Sequence, residues 1–115
     1  MLRYERDYIM RMIAAAAAAV ARLRERLSGG AEPDAIAREA QAAQTALLGN
    51  EATLLRALDA KSAAHAIGDG ERVGAWAQLL LVESEAMRQM RDIDGADRLR
   101  KRAQQLLEAA EGLRG

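Results

Sequence analysis

The chain has 115 residues, enough for one domain with one core and no more. Seventeen basic side chains balance seventeen acidic ones, so the formal net charge is zero, which argues against a chain built mainly to hold nucleic acid or an anionic membrane. There are no cysteines, which excludes disulfides, thiol catalysis and thiolate metal sites.

Alanine supplies 27 residues, phenylalanine none, and the aromatics are Trp76, Tyr4 and Tyr8. Alanine has the highest helix propensity but buries little area. The core must therefore come from Leu, Ile, Met, Val and Trp76, with alanine letting helices approach closely. No alternating pattern long enough for a strand occurs. The excess of Ala, Arg and Gly points to a GC-rich bacterial source. The run Ile13 to Ala21 is too short for a membrane span. Glu5 and Asp7 before it are unlike the cationic start of a secretory signal. The expected location is cytoplasmic.

In chain order, the first helix is predicted over about 3–27. Ile9, Ile13, Ala16, Val20, Leu23 and Leu27 recur at spacings of four and three, one narrow stripe of a packing face. Ser28-Gly29-Gly30 ends it. Pro33 and Asp34 open a second helix with Ile36, Ala40, Ala43 and Leu47 inward, stopped by Gly49-Asn50. Thr53 to Leu58 reads as one or two helical turns, and Asp59 caps a short helix through Ile67. After Gly68-Asp69-Gly70, a long helix runs from about Glu71 to Arg91. Its inner side carries Val73, Trp76, Ala77, Leu80, Ser84, Met87 and Met90. Asp92 to Gly95 turns the chain, with Asp94 as the cap. The last helix, about 96–112, carries Leu99, Ala103, Leu106, Leu107 and Ala110 inward. Short connections make neighbours antiparallel. The predicted architecture is a single all-α domain over 1–115, with about five helices.

Two resemblances bear on the family. Residues 77–110 resemble one tetratricopeptide repeat, with small Ser84, Ala96 and Ala103 where its two helices cross and large Leu80 and Met87 on the first helix. Glu83 replaces an apolar residue of that pattern and Arg100 an aromatic one. The opening Asp7-Tyr8-Ile9-Met10-Arg11-Met12-Ile13, with Leu54-Leu55-Arg56-Ala57-Leu58-Asp59-Ala60, is similar to an uncharacterised bacterial family. Its members begin Asp-Tyr-Ile-x-Arg-Met-Ile and continue into tetratricopeptide-like helices. The resemblance implies a helical fold and supplies no activity.

No motif carries chemistry. Gly68 to Gly74 lacks both the spacing and the preceding strand of a dinucleotide loop. Asp92 to Asp97 resembles a calcium loop, but its twelfth position is Ala103. His65, the sole histidine, makes no zinc site alone. Glu83 and Glu85 lie about 200° apart on their helix and share no site. Glu83 faces the core side, where a carboxylate needs a partner, and the repeat pattern offers Arg100. Arg98, Arg100, Lys101 and Arg102, with Arg88 and Arg91, form the densest basic cluster, diluted by Asp92, Asp94 and Asp97. It reads as a solvated face.

These observations favour a non-enzymatic interaction or scaffold domain with no cofactor or metal and an unknown protein partner. Self-association as a homodimer is expected through the first helix at Ile9, Ile13, Ala16, Val20 and Leu23. The competing expectations are nucleic-acid association through residues 98–102, and a small-molecule-binding or enzyme accessory subunit relying on Glu83 and His65.

Overall fold

Glycine, proline and aspartate punctuate the sequence, and most helix ends fall on them. In the computed structural model, which describes residues 3–114, every regular element is helical. The helices are α1 (Arg3–Ser28), α2 (Pro33–Leu48), α3 (Ala52–Ala57), α4 (Ala60–Ile67), α5 (Gly70–Gln89) and α6 (Ile93–Arg114), with a 3-10 turn over Gly49–Glu51. The all-α class is as expected. The expected outer limits at residues 1 and 115 lie outside the described residues. Among the described residues no helix is long and apolar enough to cross a membrane.

Capping explains the short elements. The Asp59 carboxylate accepts from the Ser62 N–H at 2.8 Å and starts α4 as predicted. Asp69 accepts from the Glu71 and Arg72 N–H groups and starts α5. The cap of α6 is a correction. Asp92, not Asp94, accepts from the Gly95 N–H at 3.0 Å, and the helix begins at Ile93 rather than Ala96. The reason lies upstream: α5 stops at Gln89, so the turn is shorter and Asp92 falls in the cap position. Gly95 leaves room there: a Cβ would meet the Met87 methyl group and the Asp92 carboxylate, and those side chains would have to shift. Arg91 ends α5 in the left-handed region, with φ of 68°, while the Asp92 N–H donates to the Met87 carbonyl at 3.0 Å. Glycine normally takes that place.

α5 lies at the centre, with α1, α2, α4 and α6 packed on it. Enclosure on several sides buries more of α5 than one stripe. Leu79, Val82 and Ala86 are buried along with the predicted Val73, Trp76, Ala77 and Leu80, whereas Met90 is 40% exposed. Fully burying a large apolar side chain contributes roughly 1.5–3 kcal/mol. Leu23, Ile36, Leu47, Leu55, Trp76, Leu79 and Leu106 therefore carry the core, and the alanines set its spacing. The radius of gyration, 13.8 Å, is that of one compact body.

Polar contacts fix the helix directions. Gln41 reaches Glu83 while Arg72 reaches the Leu47 carbonyl, so α2 and α5 run antiparallel. The Ser84 hydroxyl donates to the Ala96 carbonyl at 2.7 Å, and Arg102 sits over Trp76, so α5 and α6 are also antiparallel. α1 uses its predicted stripe inside the chain. Ala16, Val20, Leu23 and Leu27 are buried and Ile9 and Ile13 half-buried, on a helix that packs against α2 and α5. The stripe expected to join two copies is thus core, because those two helices cover it.

Candidate functional site

The residues least expected inside a helical core are polar, and three are buried: Gln44, Glu83 and Ser84. Gln44 and Glu83 face one another across the α2–α5 contact. The Gln44 Nε2 donates to Glu83 Oε1 at 2.8 Å, and the Gln41 Nε2 donates to Oε2 at the same distance. The Trp76 Nε1 donates in turn to Gln44 Oε1 at 3.3 Å. A carboxylate only accepts hydrogen bonds, and an amide both donates and accepts, so this chain of donors runs in one direction from Trp76 through Gln44 to Glu83. Among the described residues no buried side-chain N or O atom lacks a partner. A fully satisfied buried network of this kind rigidifies what it links.

The predicted Glu83–Arg100 pair does not form. Glu83 is buried as expected, but its oxygens are held by the two glutamines of α2, and Arg100 is exposed on α6. Two glutamines of α2, the buried Gln44 and the exposed Gln41, supply the partners that the repeat pattern places on α6.

Above this network the surface opens into a groove of about 650 Å³. Its α2 wall carries Arg38, Gln41, Ala42 and Thr45, with Arg56 of α3 beside them. Gln44, Trp76, Leu80 and Glu83 lie at its base, and Leu99 and Arg102 form the α6 wall. Two of the three arginines are pinned by the protein. Arg56 Nη2 donates to the Gln41 carbonyl and the Thr45 hydroxyl, at 3.1 and 3.0 Å. Arg102 donates to the Leu58 and Leu55 carbonyls at 2.9 and 3.1 Å, the end of α3. Its guanidinium carbon stands 5.1 Å from the centre of the Trp76 ring, within cation–π range. Burial lowers the Arg102 pKa, and Asp59 nearby acts in the opposite sense. Arg38 makes only an exposed pair with Asp34, at 3.6 Å.

The basic cluster is divided by this arrangement. Arg102 turns inward, Arg98, Arg100 and Lys101 are exposed, and Arg88 pairs with Asp97 at 2.6 Å. The carboxylates resembling a calcium loop are thereby used locally, Asp92 as a cap and Asp97 in that pair. Among the described residues no group of three or more His, Asp or Glu side chains forms a metal-binding cluster. His65 is exposed on α4 and does not line the groove. The hydroxyls near the groove are engaged in structure: Thr45 donates to the Gln41 carbonyl and Ser84 to that of Ala96.

No protein-family model matches the chain, and comparison with curated proteins and with solved structures finds no significant match. The chemistry of the groove therefore carries the functional reading. It offers fixed cations, amide groups and a few apolar side chains, Leu80 and Leu99 among them.

Proposed function

We propose that this chain is a non-enzymatic protein-interaction domain whose binding face is the groove between α2–α3 and α5–α6. The observation that carries this is a concave surface whose base is locked by the Trp76–Gln44–Glu83 network. A surface already ordered loses little conformational freedom when a partner lands on it. The α5–α6 hairpin supports a tetratricopeptide-like reading of that half, since Ser84, Ala96 and Ala103 are all buried. Such folds bind partners through concave helical surfaces. Fold analogy alone does not establish function, so the test must address the groove.

Ala42 is exposed on the groove wall, so Ala42→Trp fills the groove without entering the core. Pull-downs from a bacterial lysate, with and without nuclease, should recover a stoichiometric protein with the wild type and lose it with Ala42→Trp. Recovery unaffected by the substitution, or lost on nuclease treatment, would overturn the proposal.

Self-association is a second proposal, and it moves to the outward face of α1. Met10, Ala14, Ala17 and Ala21 are all exposed there and spaced four, three and four apart. Sedimentation should show a dimer that Ala17→Glu converts to monomer. A wild-type monomer at micromolar concentration would remove the idea.

A further inference from the structure

The groove carries an imbalance of charge that says what it binds. Its lining holds three guanidinium groups, Arg38, Arg56 and Arg102, from three different helices, against one carboxylate, Glu83. That carboxylate is buried, and both its oxygens already accept from glutamine amides. It is poorly placed to neutralise the arginines. The other carboxylates near them are Asp34, 3.6 Å from Arg38 on the exposed surface, and Asp59, which acts on Arg102 through its field. Neither lines the groove.

The arginines are held but not saturated. A guanidinium has five N–H donors. Arg56 spends only Nη2 on the protein, and Arg102 only one bond from each terminal nitrogen, so Nε of both is unused by the protein. Pinned guanidiniums with spare donors are pre-organised for carboxylates, which they match in geometry. The same lining includes the half-buried Leu99 and the edge of the buried Leu80, which give an apolar side chain a place to rest.

Resting on the interaction reading above, we propose that the groove takes an acidic peptide segment. Arg38, Arg56 and Arg102 receive its Asp or Glu side chains, and an intervening apolar residue contacts Leu80 and Leu99. A nucleic acid fits less well. Binding of single strands draws on stacking aromatics, and Trp76, the aromatic at the groove, is fully buried beneath Arg102. The exposed cations Arg98, Arg100 and Lys101 lie outside the groove lining.

The test is a selection of random 12-residue peptides displayed against the whole chain, followed by titration of synthetic winners using Trp76 fluorescence. Trp76 is the sole tryptophan and contacts both Gln44 and Arg102, so it reports on the groove. Winners should be enriched in Asp and Glu over Lys and Arg, and should bind less tightly as salt rises. The double charge reversal R38E/R56E should weaken them by about tenfold or more. R38Q/R56Q, which adds no like charge beside Asp34, should weaken them less, and circular dichroism checks that both variants fold. Winners that occupy the groove without acidic bias, or that ignore both variants, would overturn this inference and leave the interaction reading standing. No winner at all, or winners unaffected by Ala42→Trp, would sink both. A single-stranded DNA oligonucleotide that displaces the peptides at lower concentration would overturn the choice of partner.

Discussion

α1 and α5 are both long helices rich in small apolar residues, yet they are buried in opposite ways. α1 lays one stripe on its neighbours and leaves Ala14, Ala17, Ala18 and Ala21 in water. α5 is enclosed by four helices, and of its twenty residues only Glu71, Glu85, Arg88 and Gln89 are exposed. The buried contacts of α1 are apolar, and its polar links, Arg24 to Gln78 and Arg26 to Glu39, lie at partly exposed sites. The buried contacts of α5 include a carboxylate and an indole N–H that must each find a partner away from water. A helix at an edge follows its hydrophobic period, whereas a helix at the centre also has to satisfy its polar groups.

The sharpest way to break this contrast is to cut the centre and decorate the edge. Leu79→Ala, on α5, should destabilise by about 3–5 kcal/mol in a denaturant titration. Ala18→Glu, on the outer face of α1, should stay within about 0.5 kcal/mol. Similar losses for the two would mean that α5 is no more central than α1.

The buried polar chain comes next. Gln44→Leu strips Glu83 of a donor and Trp76 of its acceptor, and should cost about 2–4 kcal/mol. Adding Glu83→Leu should restore part of that loss, because the unsatisfied carboxylate goes with it. Strict additivity in this double-mutant cycle would show that the two residues do not depend on each other.

The helix ends offer a smaller contrast. α1 is followed by a glycine pair, while the turn after α5 places Arg91 at positive φ. Arg91→Gly should therefore stabilise by about 0.5–1 kcal/mol, read as a raised melting temperature. A loss instead would mean that the arginine side chain contributes more than its backbone strain removes.

The smallest effect belongs to a cap in open water. The Ser62 backbone N–H holds the Asp59 carboxyl below its ordinary 3.8. A pKa lowered by folding means that the cap stabilises α4 above that ordinary value, and that this contribution is lost as pH falls through the lowered one. The melting-temperature gap between wild type and Asp59→Ala should hold steady from neutral pH down towards 3.8 and close below it. A gap that widens in acid would contradict the assignment.

Much of the fold was legible because its signals are local. Ser28-Gly29-Gly30, Pro33, Gly49 and Asp59 act within a few residues, and the helices begin and end beside them. The spacing on α1 marks a packing face, and α2 and α5 cover it; spacing alone does not say which surface does so. On α5 the period missed Leu79, Val82 and Ala86, because a helix with neighbours all round has no single inner side. Glu83 was found by its place on an apolar face. Gln44 carries the same signal, since it sits between Ala40 and Leu47 on the inner face of α2, but the repeat pattern points to Arg100 instead. Arg56 and Arg102 were invisible as groove walls, because their partners lie 11 to 47 residues away along the chain.

The groove has one wall that does not stand by itself. α3 has six residues, too few for an isolated helix to persist in water. It is kept in place by the buried Leu55 and by Arg102 reaching the carbonyls at its end. Local opening should start there, so backbone amides of α3 should exchange their hydrogens with solvent sooner than those of α5. An occupant resting on Arg56 of α3 and on Arg102, which holds the end of that helix, would slow that exchange. Protection in α3 is then a footprint of occupancy, readable by mass spectrometry without a label on either molecule.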